Sequence, residues 1–246
     1  MSETRFIYGF HAVLAKLRHQ PEAVTEIFVD AARNDGRMRD LLKAAEFRQI
    51  RIISSESHRL TAIAGNAARH QGVIANVRTD IRAPDLSDVL DTLEEPPFLL
   101  VLDGVQDPHN LGACLRVADA VGAHAVIAPK DHAVGINATV AKVASGAAET
   151  MPYFMVTNLA RTLNELKERN IWIIGTSDDA PQTLYQADLK GPVALVLGAE
   201  GDGMRQLTRK TCDSLVSIPM KGAVESLNVS VASGVCLYEA LRQRGG

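Results

Sequence analysis

Several features that would place this chain outside an ordinary globular class are missing. Its 246 residues contain no apolar run near the ~18 residues of a membrane span. The N-terminal stretch, residues 1–5, lacks the apolar core of a signal peptide, so none is expected. The three cysteines form no CxxC pair, and the seven histidines never stand at metal-ligand spacing. We therefore expect reduced thiols in a cytoplasmic protein, with no metal site and no membrane partner.

The chain also lacks a strong net charge, but its charges are unevenly spread. The formal net charge is -3. Residues 1–78 hold 12 Lys and Arg against 8 Asp and Glu, whereas residues 79–246 hold 14 against 21. The first part is thus suited to meet phosphate groups while the second does something else. A chance imbalance on solvated surfaces is the alternative.

Residues 1–78 are predicted to form a small α/β unit. Apolar spacing predicts helices from Gly9 to residue 19 and over residues 37–47 and 60–68, with strands over residues 26–29, 50–54 and 73–77. The helix over residues 37–47 has an apolar face and an opposite basic one, formed by Arg37, Arg39, Lys43 and Arg48. This basic face is a candidate RNA contact or an ordinary solvated surface.

Residues 79–97 are interpreted as a linker. The pattern predicts an extended stretch over residues 79–84, a short helix over residues 86–93, and a stop at Glu94-Glu95-Pro96-Pro97. A second domain is then expected over residues 98–246, where apolar strands alternate with helices, among them one over residues 137–148 and a last helix that Ser226, Asn228 and Ser230 open. That alternation is typical of a parallel sheet covered on both faces, with ligands bound at the carboxyl ends of its strands.

Three loops at predicted strand ends carry polar and glycine residues. They are Leu102-Asp103-Gly104-Val105-Gln106-Asp107-Pro108-His109-Asn110-Leu111-Gly112-Ala113 with Arg116, then Leu197-Gly198-Ala199-Glu200-Gly201-Asp202-Gly203, then Ile218-Pro219-Met220-Lys221-Gly222 followed by Ser226 to Ala232. Turn formation and helix capping explain any one of them. Because the three share one edge of the sheet, a polar ligand site is favoured. No GxGxxG follows the first strand, as a dinucleotide fold requires.

These three segments resemble the motifs of the SpoU (TrmH) family, the 2'-O-ribose methyltransferases of structured RNA. The resemblance covers residues 98–246. Tyr8-Gly9 and His70-Gln71-Gly72 are similar to the small RNA-binding domain of members that act on ribosomal RNA. The resemblance implies an α/β fold: a parallel-sheet methyltransferase domain of the SPOUT type with a C-terminal deep trefoil knot. A small α/β RNA-binding domain resembling ribosomal protein L30e precedes it.

The resemblance also implies what the protein binds. The cofactor is S-adenosylmethionine, the substrate is a guanosine ribose in 23S ribosomal RNA, and DNA is not a partner. The family is dimeric, so a homodimer through the knotted domain is expected, with the active site completed across the interface. The implied catalytic set is Arg116, Asn110, Glu200, Ser226 and Asn228. The implied cofactor-binding set is Gly198, Ala199, Gly203, Ile218, Met220 and Leu227.

Arg116 has two implied roles, general base or phosphate clamp. We favour the clamp, because a guanidinium keeps its proton up to about pH 12. Three other functions remain open: 2'-O-methylation of another structured RNA such as tRNA, a non-catalytic RNA-binding module, and a nucleotide-dependent oxidoreductase. Cofactor titration separates the methyltransferase from the last two.

Overall fold

A computed structural model of the chain describes residues 4–65, 70–79, 84–201 and 203–246, with the backbone alone at positions 11 and 19. Three predicted features lie wholly or partly outside these residues: the end of the helix over 60–68, the extended stretch over 79–84, and Asp202. The chain divides into two compact units, Met1–Ala83 and Pro84–Gly246. None of the described helices is long and apolar enough to cross a membrane.

The first unit contains a four-stranded sheet of order β1-β4-β2-β3, in which only β2 and β3 pair in parallel. Its elements are β1 (Thr4–Tyr8), α1 (Phe10–His19), β2 (Val24–Asp30), α2 (Gly36–Phe47), β3 (Arg51–Ser55), α3 (Ser57–Ala64) and β4 (Val73–Arg78). The sequence predicted every α-helix and strand of this unit except β1, and it did not predict the short 3-10 helix Pro21–Ala23. Strand β1 was not predicted because four of its five residues are exposed, so its sequence shows no alternation of apolar and polar residues.

The first unit has its own apolar core, which α1 and α2 form against one face of the sheet. Leu17 of α1, Leu41 of α2 and Ile27 of β2 are fully buried in it. The basic side of α2 consequently faces away from the core, and Arg37, Arg39 and Lys43 are exposed. None of these three makes an ion pair within the described chain.

The second unit is built on a seven-stranded sheet of order β7-β6-β5-β10-β8-β11-β9, and all neighbouring strands are parallel. Its elements are α4 (Leu86–Asp91), β5 (Phe98–Asp103), α5 (Pro108–Ala120), β6 (Ala125–Pro129), α6 (Ala138–Ala144), α7 (Ala147–Thr150), β7 (Tyr153–Val156), α8 (Leu159–Glu168), β8 (Trp172–Thr176), β9 (Gln182–Thr183), β10 (Val193–Gly198), α9 (Gln206–Thr211), β11 (Ser214–Ser217) and α10 (Val229–Gln243).

The predicted parallel sheet covered on both faces is confirmed. One apolar core joins the sheet to α5, α6 and α10, and a second joins the opposite face to α8. All six residues of β5 are buried, as a central strand with two covered faces requires. The carboxyl ends of β5 and β10 lie side by side at the edge of the sheet, because their last residues, Asp103 and Gly198, pair with each other.

Two helical predictions are corrected by the structure. The single helix predicted over residues 137–148 is two helices, α6 and α7, because Ser145 and Gly146 both adopt left-handed backbone angles, with φ of 51° and 98°. The last helix begins at Val229, later than the expected start at Ser226. The two-residue strand β9 was not predicted.

Part of the stretch interpreted as a linker is folded into the second unit. Helix α4 begins with a capping box between Asp85 and Asp88. Leu86 and Leu90 of α4 pack against the apolar core on the α8 side. Arg169, at the end of α8, binds Asp91 with Nη1 2.5 Å from Oδ1. Residues 84–91 therefore belong structurally to the second unit.

Candidate active site

Two of the three polar loops, those after β10 and β11, line a cavity of about 620 Å³ at the carboxyl edge of the second sheet, together with residues 176–178 at the end of β8. This volume suits a ligand of cofactor size. All six residues implied to bind the cofactor line the cavity, as do Glu200 and Ser226 of the catalytic set. The apolar part of the wall consists of Leu197, Met204, Ile218, Met220, Leu227, Val229 and Ala232.

A tight turn after β10, Ala199–Gly203, forms one wall of this cavity. The backbone N–H of Ala199 donates to the Gly203 carbonyl at 3.1 Å, and the reverse bond is 3.0 Å long. A Cβ added to Gly198 would lie 2.0 Å from the Gly203 carbonyl carbon, so only glycine fits there. Gly203 has a φ of 64°, which also favours glycine. These glycines let main-chain groups face the cavity directly.

The Asn228 side chain joins the three loops. Its Nδ2 donates to Asn110 Oδ1 at 3.0 Å and to Glu200 Oε1 at 2.5 Å. Its Oδ1 accepts from the Ser230 backbone N–H at 2.9 Å and from the Ser230 hydroxyl at 2.6 Å. One amide therefore satisfies four partners on three segments, which fixes their relative positions.

Asn228 is also the N-cap of α10, since its Oδ1 accepts the backbone N–H two residues later. Asn228 therefore caps the helix and also joins the loops beside the cavity. Ser226 lies two residues before the cap and is exposed at the cavity. Its hydroxyl makes no hydrogen bond within the described residues, so it is available to a ligand.

Arg116 is placed differently from the other members of the implied catalytic set. It is exposed on α5 and makes no hydrogen bond or ion pair within the part of the chain that the structure describes. It does not line the cavity of its own chain. One turn earlier, Gly112 lies so close to α6 that an added Cβ would be 2.7 Å from Val143 Cβ. The structure therefore brings together Asn110, Glu200 and Asn228, and leaves Arg116 apart from them.

Two groups of charged residues at this edge were not singled out from the sequence. Asp103, at the end of β5, binds Arg205 just after the Ala199–Gly203 turn. Arg209 of α9 lines the cavity and binds Ser177 Oγ at 2.9 Å and Asp179 Oδ1 at 2.7 Å. Asp103 had a visible signal, because it is the only charged residue of the otherwise apolar segment Phe98–Asp103.

Thiol chemistry is not available to the cavity. Burial raises the pKa of the Cys114 thiol to about 11 and that of the Cys236 thiol to about 12. Burial also raises the pKa of the Cys212 thiol to about 11. All three therefore stay protonated near neutral pH, and a protonated thiol is a poor nucleophile. Within the described residues no group of three or more His, Cys, Asp or Glu side chains is arranged to hold a metal ion.

Comparison with known proteins defines the class. The model of the SpoU rRNA Methylase family matches residues 97–238, and the model described as RNA 2'-O ribose methyltransferase substrate binding matches residues 6–80. The chain belongs to the SpoU rRNA methylase family.

Individual relatives agree with this membership. A Ralstonia nicotianae protein named 23S rRNA (guanosine-2'-O-)-methyltransferase RlmB is 66% identical over 244 residues, which are 99% of this chain and 98% of that protein. The crystal structure of the SpoU methyltransferase AviRb from Streptomyces viridochromogenes in complex with AdoMet is similar with a TM-score of 0.69 at 25% identity, over 98% of this chain and 90% of that one. The structure of an A. aeolicus TrmH/SpoU tRNA modifying enzyme is similar with a TM-score of 0.56 at 32% identity, over 61% of this chain and 76% of that one.

Proposed function

We propose that the protein transfers a methyl group from S-adenosylmethionine to the ribose 2'-hydroxyl of a guanosine in 23S ribosomal RNA. The observation that carries the proposal is the cavity at the carboxyl edge of the sheet, which the family's second and third motifs line and which Asn228 joins to Asn110 of the first motif. The substrate class follows from the Ralstonia relative, which matches nearly the whole chain. The tRNA-modifying relative matches only 61% of it, which favours ribosomal RNA.

The cavity residues fit the proposed cofactor. Ile218, Met220 and Leu227 offer apolar surfaces to an adenine ring, and the glycine turn offers main-chain donors and acceptors to the polar groups. When bound, S-adenosylmethionine supplies an electrophilic methyl group on a positively charged sulfur. The protein must then hold the ribose oxygen in line with that methyl and assist loss of its proton. Gly198, Ala199 and Gly203 hold the cofactor in this proposal.

Asn110, Glu200, Ser226 and Asn228 position the reacting groups. Asn228 fixes Glu200 and Asn110 relative to each other, so the carboxylate and the amide present a rigid polar surface beside the cavity. Ser226 offers at the cavity wall a hydroxyl that makes no hydrogen bond to the part of the chain that the structure describes. Rigid placement matters because a preoriented site avoids reorganisation during the reaction.

Arg116 acts as a clamp on the target phosphate and stabilises the developing alkoxide. Its guanidinium is exposed and makes no hydrogen bond or ion pair with the described residues, as binding of an external anion requires. It does not line the cavity of its own chain, which supports a site completed by a second protomer. In this arrangement Arg116 of one protomer serves the cavity of its partner.

The homodimer forms through the second unit. Val231 and Tyr238 of α10 are 52% and 53% exposed, and their seven-residue spacing puts them on one helix face. Large apolar side chains aligned on an exposed helix face are typical of a contact surface. The same helix packs on α5, which carries Arg116, so a contact through α10 brings Arg116 close to the partner.

The second unit contains a deep trefoil knot. Strand β11 is separated from β10 by β8, yet α10, which follows β11, packs against β10 and α5. The segment 218–228 must therefore return across the carboxyl end of β8, beside the loops that leave β8 and β10. This return path supports passage of the C-terminal segment through a loop, which general topology rules would not predict.

The first unit, which we propose to resemble ribosomal protein L30e, binds the RNA. We propose that residues 1–78 bind the RNA and residues 98–246 carry out methyl transfer, while residues 84–97 between them fold with the second unit. Support comes from Arg37, Arg39 and Lys43 on α2, which are exposed and form no ion pair with any residue that the structure describes, and from the match of residues 6–80 to the substrate-binding model. Phosphate contacts of this kind supply much of the affinity of RNA-binding proteins. We place the protein in the cytoplasm with its RNA substrate and with three free cysteines.

Titration with S-adenosylmethionine tests the proposed cofactor. We expect calorimetry to detect binding and the melting temperature to rise with ligand concentration, because a ligand that binds only the folded state stabilises it. A nicotinamide dinucleotide serves as the control ligand and should not bind. No heat of binding at millimolar S-adenosylmethionine would rule out the proposal, and binding of the nicotinamide instead would favour an oxidoreductase.

Deletion of residues 1–78 tests the division of labour between the units. We expect the truncated protein to bind S-adenosylmethionine like the full chain, because all the cavity residues lie in the second unit. RNA affinity and methyl transfer should both fall. The affinity of the full chain should also decrease steeply with added salt, as phosphate contacts require. An RNA affinity unchanged by the deletion would contradict the assignment.

A further inference from the structure

The Ala199–Gly203 turn is held at both ends by carboxylates. At its tip, Glu200 binds Asn228. At its base, Asp103 Oδ2 accepts the backbone N–H of Arg205 at 2.9 Å, and Asp103 Oδ1 accepts Nε–H of the same residue at 2.7 Å. The guanidinium Nη2 is also 2.7 Å from Oδ1. Because Asp103 ends β5 and the turn leaves β10, this contact ties the loop of one strand to the end of its neighbour.

Stability alone does not account for this pair. The Asp103 side chain is 0% exposed, and that of Arg205 is 47% exposed. A buried ion pair rarely stabilises a fold more than apolar residues of equal volume, because desolvation of the charges offsets their attraction. A carboxylate differs from an apolar side chain because it makes directional hydrogen bonds. It receives the main chain and the side chain of Arg205 together, and so fixes where the turn ends.

The fixed segment is a wall of the cavity. Neither Asp103 nor Arg205 lines the cavity, but the chain that leads to Arg205 does, at Gly198, Ala199, Glu200, Gly201, Gly203 and Met204. The turn also rests on the β5 side, since a Cβ added to Gly104 would lie 3.5 Å from Ala199 Cβ. Movement of Arg205 away from Asp103 would therefore displace the wall itself.

We infer that Asp103 and Arg205 are positioning residues that hold the Ala199–Gly203 turn in the conformation that binds the cofactor, an inference that rests on the proposed function. They act through the backbone and touch neither the cofactor nor the RNA. Loss of the pair lowers the fraction of molecules with a competent turn, which weakens apparent cofactor affinity in proportion. Saturating cofactor draws the turn back into the competent conformation, so the rate at saturation is largely preserved.

The test compares cofactor affinity with turnover on 23S ribosomal RNA. Asp103→Asn should raise the Kd and KM for S-adenosylmethionine at least ~10-fold and change kcat by less than ~3-fold, as a fall in the competent population requires. Arg205→Gln should do the same, and the double variant should be no worse than either single variant, because the two act as one unit. Arg205→Lys keeps a charged donor for Asp103 Oδ1, the single oxygen that the arginine Nε and Nη2 both contact, so it should bind within ~3-fold of the wild type.

Asp91→Asn is the matched control. This substitution breaks the ion pair between Asp91 and Arg169, which lies in the same unit. Neither residue lines the cavity, so the Kd for S-adenosylmethionine should stay unchanged. Melting temperatures without ligand report stability separately. If Asp103→Asn does not fold, the two Arg205 variants carry the test. If the folded Asp103→Asn and Arg205→Gln variants bind S-adenosylmethionine with the wild-type Kd, whatever their melting temperature, the inference is wrong and the proposed function still stands. A wild-type protein that does not bind S-adenosylmethionine overturns the proposed function and the inference with it.

Discussion

Replacing Arg116 with alanine is expected to lower the rate of methyl transfer at least ~100-fold while cofactor affinity stays within ~2-fold of the wild type, as for loss of one preorganised charge-stabilising donor. A 100-fold loss corresponds to about 2.7 kcal/mol of transition-state stabilisation. Cofactor affinity is spared because Arg116 does not line the cavity of its own chain. Single-turnover methylation, with RNA and cofactor binding measured separately, provides the comparison.

Arg116→Lys separates the two implied roles of the residue. A lysine keeps the positive charge but not the planar fork, so we expect it to retain RNA affinity and lose rate. An arginine base would instead give a wild-type activity that rises steadily to alkaline pH. Arg161→Ala is the control, because Arg161 is an exposed arginine of the same unit engaged by Glu165. If Arg116→Ala methylates RNA at the wild-type rate, the catalytic assignment is wrong.

Replacing Asn228 with aspartate is expected to reduce methyl transfer at subsaturating cofactor by at least ~100-fold. The substitution turns the Nδ2 donor into a carboxylate oxygen, which cannot donate to the two acceptors that face it. The new carboxylate would face Glu200 Oε1 and Asn110 Oδ1, which the Asn228 amide now contacts at 2.5 and 3.0 Å. Like charges at such a distance repel, so the turn after β10 and the start of α10 should separate. We therefore expect the Kd for the cofactor to rise and the rate of methyl transfer to fall.

The matched control for this substitution is Asn158→Asp. Asn158 caps α8 by accepting the Arg161 backbone N–H at 3.0 Å, and aspartate caps a helix equally well. Its activity and melting temperature should therefore stay near those of the wild type. Wild-type methylation by Asn228→Asp would show that the junction between the three loops does not support catalysis.

The sequence predicted the parts of the fold that depend on strong local patterns. Continuous apolar runs such as Phe98–Asp103 identify buried parallel strands, and the structure buries that strand completely. Features set by a few backbone angles were not predicted. The break between α6 and α7 depends on the left-handed conformation of Ser145, which no apolar spacing reveals. Strand order, with β10 between β5 and β8, is a long-range property and equally invisible.

The site was predicted where residue types cluster along the chain, and missed where a contact joins distant segments. The glycines at positions 198 and 203 and the apolar residues near Ile218 stand within recognisable motifs, and all line one cavity. Asp103 and Arg205 are 102 residues apart, so their contact depends on the pairing of β5 with β10. The isolation of Arg116 from the cavity of its own chain likewise appears only in three dimensions.

The most direct test of the central claim locates the transferred methyl group. The protein is incubated with S-adenosylmethionine labelled in the methyl group and with a 23S ribosomal RNA transcript, and the labelled nucleotide is mapped by its resistance to alkaline cleavage. The account predicts label on the ribose of a guanosine, and loss of that label when a fragment carries 2'-deoxyguanosine at the mapped position. Label on a base, label that persists on the deoxy fragment, or no transfer to 23S ribosomal RNA would contradict it.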